Sequence, residues 1–368
     1  MKVIVEAGEL AKRLEDVVFL LGTRMQIYPI LSNVVLEAEG DVLTIFGTDF
    51  EVACLFRMPC EVKEEGSVCV PYLKLCELCK RIKEGEMEFL VDHEFNLRVK
   101  HESLNLLLRG LPRDEYPKLP PFEAERKIVI SNDVFVEGIK KTIFAVANQD
   151  PRKALEGLLI KCSGDLVEFV GMDGSRLARL SRGVVSNDYE GEVVFLVRKY
   201  IVQKFLKLAK KYYSDVVMSK DDTAIFDFGD CKVSVVEISA EYPSYELSER
   251  CDCKVSLNKN DFKRALEQVS VVAHKDFQNV KMEFSEGRVQ FYADNPDVGE
   301  ASMSIPVVGT EGVVDIAREF RAKYILDFLR VVKGETVSVG FNKALGINIF
   351  FDDMDKDYEC IIMHLLEA

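Results

Sequence analysis

The sequence repeats itself three times, and a repeat of that length leaves few folds open. The stretch Lys2-Val-Ile-Val-Glu-Ala-Gly-Glu-Leu10 returns as Lys127-Ile-Val-Ile-Ser-Asn-Asp-Val-Phe135 and again as Lys254-Val-Ser-Leu-Asn-Lys-Asn-Asp-Phe262. Each copy is a short β-branched run, then polar capping positions, then an apolar stripe at helical spacing, which in the first copy is Leu10, Leu14, Val17 and Leu21. Two alternating runs around a Gly-containing turn follow, beginning at Asn33, Gly157 and Asn279, and they read as a β-hairpin in each copy. A Glu-Gly pair or its equivalent precedes a further strand at Gly66, Gly191 and Gly312. Glu115-Tyr116-Pro117 and Glu241-Tyr242-Pro243 close the first two copies.

The anchors keep one order at a period of roughly 120–127 residues, the size of a domain rather than of a solenoid unit. The chain of 368 residues therefore divides into three similar α+β domains at about 1–120, 121–250 and 251–368. Each is expected to hold two helices and several antiparallel strands, the second helices starting near Pro71, Arg198 and Phe320. A weaker strand–helix–strands pattern recurs within each domain.

Hydrophobic residues make up 48% of positions, enough for real cores, so a disordered or fibrous chain is excluded. No run approaches the ~20 apolar residues of a membrane helix. Charges interrupt every apolar group of the opening MKVIVEAGELAKRL, which does not read as a secretory signal, so a cytoplasmic location is expected. The ten cysteines are under 3% of the chain and are expected to be reduced.

The formal charge is −14, which argues against coating nucleic acid through bulk charge. Its distribution says more. Six helical windows, 9–21, 72–83, 132–146, 198–212, 260–275 and 318–333, together carry about +12, leaving about −26 on everything else. In the fourth window Ile201, Val202, Phe205, Leu208 and Ala209 take one side and Lys204, Lys207 and Lys211 the other, with Arg198 and Lys199 at its start. Lys323 and Arg330 share a face of the sixth, diluted by Asp327, and in the first Glu9, Glu15 and Asp16 outweigh Lys12 and Arg13. Such faces can be ordinary solvated surface. Cationic helices behind acidic sheets also suit a duplex held through its phosphates without sequence readout, Lys acting as a mobile point charge. No helix-turn-helix, zinc finger or aromatic single-strand platform is apparent, and there is no Trp.

The segments Tyr28-Pro-Ile-Leu-Ser-Asn33, Gly47-Thr-Asp49, Gly171-Met-Asp-Gly-Ser-Arg-Leu-Ala178, Glu241-Tyr-Pro-Ser-Tyr245 and Ile361-Ile-Met363 resemble the bacterial DNA sliding clamp, the beta subunit of DNA polymerase III. The resemblance runs along the whole chain. It implies the DNA-clamp fold, with two helices per domain lining a ring interior and antiparallel sheets outside. Two protomers would join head to tail into a homodimer that encircles duplex DNA without reading its sequence. The role implied is that of a processivity factor, not an enzyme, with no cofactor. The partners implied are the DNA polymerase III alpha subunit, the clamp loader delta subunit, other polymerases and repair factors. A scaffold that binds partner peptides without touching DNA is the competing reading.

By matching motif positions, the resemblance implies a peptide groove walled by Leu155, Met172, Gly174, Ser175, Arg176, Leu177, Pro243 and Leu247, with Tyr324, Gly346, Ile361, Ile362 and Met363 from the third domain. It implies DNA contacts at Arg24, Gln149 and Arg152, and a ring contact of Leu106 and Leu108 against Val271 and Val272. The chain departs from the family at its end, where Met363-His-Leu-Leu-Glu-Ala368 lacks the usual Pro and Arg. Ser175 stands where many members have His, and Leu247 where better-known members have Arg.

Rival chemistry is weak. Cys76-Glu-Leu-Cys79 has the spacing of a metal pair but no second pair, and it falls inside a helix. Cys251-Asp-Cys253 reads as a reduced loop pair, and His93, His101, His274 and His364 make no metal motif. No phosphate-cradling glycine loop occurs. Asp49 and Asp173, at matching places in two repeats, are expected to be turn residues whose carboxylates accept backbone N–H bonds, rather than catalytic acids.

Overall fold

The computed structural model describes residues 1–22, 28–245, 251–274 and 278–365. One order of elements recurs three times: strand, helix, five strands, helix, three strands. The first copy has β1 (Lys2–Glu6), α1 (Ala7–Leu21), β2 (Asn33–Glu39), β3 (Val42–Thr48), β4 (Val52–Pro59), β5 (Glu61–Glu64) and β6 (Gly66–Pro71). It ends with α2 (Tyr72–Ile82), β7 (Glu86–Val91), β8 (Leu97–His101) and β9 (Leu104–Leu108). The second has β10 (Ile128–Ile130), α3 (Asn132–Thr142), β11 (Gly157–Ser163), β12 (Leu166–Met172), β13 (Arg176–Gly183), β14 (Ser186–Asn187) and β15 (Glu192–Arg198). It ends with α4 (Lys199–Tyr212), β16 (Val216–Lys220), β17 (Ala224–Asp227) and β18 (Cys231–Val235). The third has β19 (Cys253–Asn258), α5 (Lys259–Val269), β20 (Asn279–Phe284), β21 (Arg288–Asn295), β22 (Gly299–Pro306), β23 (Gly309–Glu311) and β24 (Ile316–Arg321). It ends with α6 (Ala322–Val331), β25 (Thr336–Asn342), β26 (Ile347–Asp352) and β27 (Asp355–Ile362).

Local chemistry sets the helix ends, which differ from the sequence windows by a few residues. The Glu6 carboxylate accepts the Glu9 amide at 2.6 Å and starts α1 at Ala7. The Thr142 hydroxyl turns back to the Gly138 carbonyl at 2.6 Å, and residues 143–145 leave α3 as a 3-10 turn. Ile316–Arg321 pairs with β20 as a strand, which delays α6 to Ala322.

The chain forms two compact units that do not follow the repeat. One takes Met1–Phe135, Val184–Glu190 and Tyr200–Glu237; the other takes Val136–Gly183, Gly191–Lys199 and Ile238–Ala368. Sheet pairing explains the division. In the first unit β18 pairs antiparallel with β4, Val235 opposite Val52 and Cys231 opposite Phe56, so one sheet runs β14-β10-β16-β17-β18-β4-β3-β2-β6. Beside it lies the sheet β5-β1-β7-β8-β9. Leu10, Leu14, Val17 and Leu20 of α1 are fully buried, as are Phe205 of α4 and Phe226, whose rings lie 4.5 Å apart.

In the second unit β27 pairs with β13, Ile361 opposite Leu177, giving the sheet β15-β11-β12-β13-β27-β26-β25-β19-β23. The sheet β22-β21-β20-β24 completes it, over a core that includes Phe262, Phe284, Phe320, Phe328, Phe350 and Tyr358. Both junctions obey one rule: the ninth strand of a repeat pairs with the fourth strand of the repeat before it. That leaves β9, the ninth strand of the first repeat, and β22, the fourth of the third, each at the open edge of its sheet.

Among the described residues no helix is long and apolar enough to cross a membrane, and no group of three or more His, Cys, Asp or Glu is placed to hold a metal. The ten cysteines are free. Burial pushes the Cys79 thiol up to about 12 and raises Cys76 as well, which disfavours the thiolate that a metal or redox site needs.

Candidate functional site

The β13·β27 junction gathers most of the residues expected to wall a groove. The turn before β13 is built by Asp173, whose carboxylate accepts the amides of Ser175 at 2.9 Å and Arg176 at 3.0 Å. Asp49 does the same in the first repeat for Glu51 at 3.0 Å and Val52 at 2.7 Å, so both aspartates are turn residues, as expected. Gly174 sits at φ +86°, where only glycine is unstrained, and an added Cβ would meet the Arg152 guanidinium at 2.5 Å.

Arg176 is the polar centre of this surface and is 9% exposed. Its Nε donates to Asp173 at 3.1 Å, Nη1 to Asp327 at 2.8 Å and Nη2 to the Phe144 carbonyl at 2.7 Å. The guanidinium carbon lies 4.3 Å from the centre of the Tyr324 ring. A buried cation is tolerable only when its donors are matched, and here each nitrogen has an acceptor. The sequence window read Asp327 as a mere dilution of a basic face. It is half of the clamp on Arg176.

Around it, Leu177 and Ile361 belong to an apolar cluster with Val170, Leu196, Ile347 and Ile349, against which Met172, Tyr242 and Tyr245 pack. Ile362 is fully buried in the neighbouring core. Met363 is 41% exposed, its amide donating to the Ser175 carbonyl at 2.8 Å. Gly346, at φ +66°, lies against His364, and Pro243 is half-buried next to Tyr242. Burial lowers the His364 pKa. Leu155 is fully buried in the 3-10 turn at residues 153–156, so it is core rather than an accessible wall. Leu247 lies outside the described residues.

The cationic residues are less uniform than their sequence stripe. Lys204 donates to the Leu20 carbonyl at 2.5 Å and Lys211 pairs with Asp16 at 2.6 Å, while the Lys207 amine lies 4.5 Å from the Phe19 ring centre. The polar face of α4 therefore lies along α1, and Lys204 and Lys211 fasten the two helices instead of standing free. Burial lowers the Lys204 pKa. Lys199 likewise donates to the Val146 carbonyl at 2.5 Å and to Asn148 at 2.8 Å, and burial lowers its pKa. Lys207 and Lys210 are exposed. Gln149 and Arg152 are exposed on a loop where Asp150 accepts the Arg152 Nε at 3.0 Å. Arg198 is half-buried at the end of β15, and Arg24 lies outside the described residues.

At the β9 edge, Leu106 stands opposite Val99 and Leu108 opposite Leu97, both partners fully buried, so the two leucines carry the core face out to the rim. In the other unit Val271 is 77% exposed just after α5, and Val272 packs partly on the core. The structure thus brings residues expected to wall a groove together from the second and third repeats. Of the expected ring contacts, Leu106 and Leu108 lie on the open-edge strand β9, and Val271 and Val272 follow α5.

Profiles of the DNA polymerase III beta subunit match the chain along its length: the N-terminal domain over residues 1–120, the central domain over 129–244 and the C-terminal domain over 248–365. The chain belongs to the DNA polymerase III beta subunit family. This sliding clamp is a processivity factor of DNA replication and not an enzyme. Among its relatives, the beta sliding clamp of Pseudomonas aeruginosa is 27% identical over 317 residues, covering 85% of this chain and 86% of the relative. That of Chlamydia muridarum is 23% identical over 363 residues, covering 98% and 97%. The crystal structure of the DNA polymerase III subunit beta from Pseudomonas aeruginosa superposes over all of both chains with a TM-score of 0.91 at 24% identity. The Bacillus subtilis DNA polymerase sliding clamp does so with a TM-score of 0.91 at 20% identity.

Proposed function

We propose that two copies of this clamp, each divided into domains at about 1–120, 121–250 and 251–368, close head to tail into a ring around duplex DNA. The observation that carries this reading is the junction rule. Ninth and fourth strands pair at β18·β4 and at β27·β13, and the same pairing between copies would join β9 to β22. An open edge is a row of unmatched amides and carbonyls, and an edge-to-edge contact satisfies it. Two such contacts related by a two-fold axis close a dimer. Leu106, Leu108, Val271 and Val272 would seal the contact.

Duplex DNA would meet Lys207, Lys210, Arg152, Gln149 and Arg24, with Arg198, Lys199, Lys204 and Lys211 contributing charge from behind, through phosphate attraction that reads no sequence. The surface around Arg176, Leu177, Tyr324, Ile361 and Met363 would receive extended apolar peptides from the replicative polymerase, the clamp loader and repair factors. A clamp that works on the chromosome would reside in the cytoplasm. The test is retention on DNA after loading: clamps remain on a circle and are lost when the circle is cut. Leu106→Asp with Leu108→Asp is expected to halve the sedimenting mass and abolish retention. A double variant that stays dimeric refutes the β9 contact, and equal retention on linear DNA refutes encirclement.

A further inference from the structure

We infer that His364 is a positioning residue of the peptide groove: its neutral ring holds Met363 in place, and protonation of that ring frees the end of the chain and weakens peptide binding. This role rests on the reading of the Met363 surface as a groove, to which it adds a proton-sensitive hold. All the groups involved lie in the second compact unit.

The residues that leave β27 are fastened one after another. The Met363 amide donates to the Ser175 carbonyl and the Leu365 amide to the Glu319 carbonyl, each at 2.8 Å. Between them, Asn348 of β26 grips both neighbours of Met363. Its Nδ2 donates to the Ile362 carbonyl at 3.0 Å and lies 3.3 Å from the His364 Nδ1. Asn348 is 1% exposed, so these partners rather than bulk water satisfy its amide. Met363 itself is half in solvent, and the bonds on either side of it set its place.

Hydrogen-bond chemistry fixes the state of the ring. A carbonyl only accepts, so the Asn348 atom facing Ile362 is the amide nitrogen, and that nitrogen offers its second hydrogen to His364. Nδ1 must then accept, which makes the ring neutral with its proton on Nε2. A proton added at Nδ1 sets two donors face to face. The surroundings oppose the charge as well. Burial and the Arg318 guanidinium lower the His364 pKa, against a bond to the Gly346 backbone. Arg318 has no ion-pair partner among the described residues, and its Nε is buried without an acceptor. Of the other charges near the tail, Glu319 meets it through its carbonyl, Asp173 is matched by Arg176, and Lys343 reaches the Val313 carbonyl at 3.5 Å. An imidazolium therefore leaves Asn348, and a groove wall that has to be reordered on binding binds less well.

The test is fluorescence anisotropy on the full chain with a rhodamine-labelled, C-amidated Gln-Leu-Ser-Leu-Phe probe, whose peptide carries no titrating group. The neutral ring is the binding form, so affinity should be level above about pH 6.5 and fall about fivefold by about pH 5. His364→Asn, whose side-chain oxygen stands where Nδ1 does, should bind like the parent at neutral pH and change less than about twofold in acid. His364→Ala should bind about fivefold more weakly at neutral pH, with no further loss in acid. An acid loss in His364→Asn equal to the parent's overturns the inference, as does a His364→Ala variant that binds like the parent throughout. In ¹⁵N spectra at neutral pH the His364 ring, identified by its absence in His364→Asn, should carry its proton on Nε2. A proton on Nδ1 overturns the inference whatever the peptide does. Met363→Asp separates the two readings: unchanged affinity there overturns the groove and this role with it, whereas lost affinity beside failed histidine results overturns the role of His364 alone.

Discussion

Replacing Arg176 by Met tests the account of the groove at its centre. The substitution keeps the volume of the stem but removes three charge-assisted hydrogen bonds and the stack on Tyr324. Breaking a buried ion pair by deleting one partner costs about 3–5 kcal/mol, because the other charge stays buried. Two observations place this case at the lower end. Asp173 keeps the amides of Ser175 and Arg176 itself, and Asp327 keeps Arg330 at 2.7 Å. A loss of about 3 kcal/mol corresponds to a fall of about 6–12 °C in Tm for a unit of this size. Calorimetry on the full chain reads it directly. Adding Asp327→Leu to Arg176→Met should recover about 1 kcal/mol, since the stranded carboxylate is gone and neighbouring sites couple. A fall of less than ~1 kcal/mol in the single variant, or strict additivity in the double, would refute the view that this guanidinium is a fully matched buried cation.

Three further outcomes follow from the same structure. Burial acts to raise the pKa of Asp355, but its bonds from Arg182 and Lys141 outweigh burial and hold it below the usual carboxylate value, so its stabilisation is present above about pH 4 and lost as pH falls through the lower folded value. Asp355→Asn should therefore lower Tm at pH 7, with the gap to the parent closing below pH 4; a gap constant with pH would count against the ion pair. Gly138→Ala would set a Cβ 2.4 Å from the Phe169 ring, and overpacking of that kind should cost about 1–3 kcal/mol in urea titrations, although alanine is the better helix former. Lys207→Glu with Lys210→Glu should shorten residence on DNA circles and flatten its salt dependence, whereas Lys204→Met should act mainly on stability because its ammonium already bonds Leu20.

Much of the fold was legible in the sequence because its signals are local. Alternation marked the hairpins β2–β3, β11–β12 and β20–β21, and a helical apolar stripe marked α1. The junctions β18·β4 and β27·β13 left no local trace, since an antiparallel edge contact constrains only alternation and burial. The groove was legible only through its motifs. The spacing of Gly171-Met-Asp-Gly-Ser-Arg located Arg176, but not the partners Asp327 and Phe144 that hold it. The charge stripe of α4 was read correctly as a helix face and incompletely as a free one. Periodicity tells which side a lysine occupies, not that a second helix with Asp16 and an open carbonyl at Leu20 lies along that side. Lys210, by contrast, falls between the two faces and belongs to neither stripe.

The division of the middle repeat between two compact units bears on how this protein can be taken apart. A cut near residue 120 looks natural in the sequence, yet it would strip β18 from β4 and leave Val52–Pro59, six of whose eight residues are buried in the intact chain, as a bare strand flank. A fragment so made is a template for self-association. Dissection for binding or crystallisation work is better attempted by silencing surfaces on the whole chain than by excising its repeats.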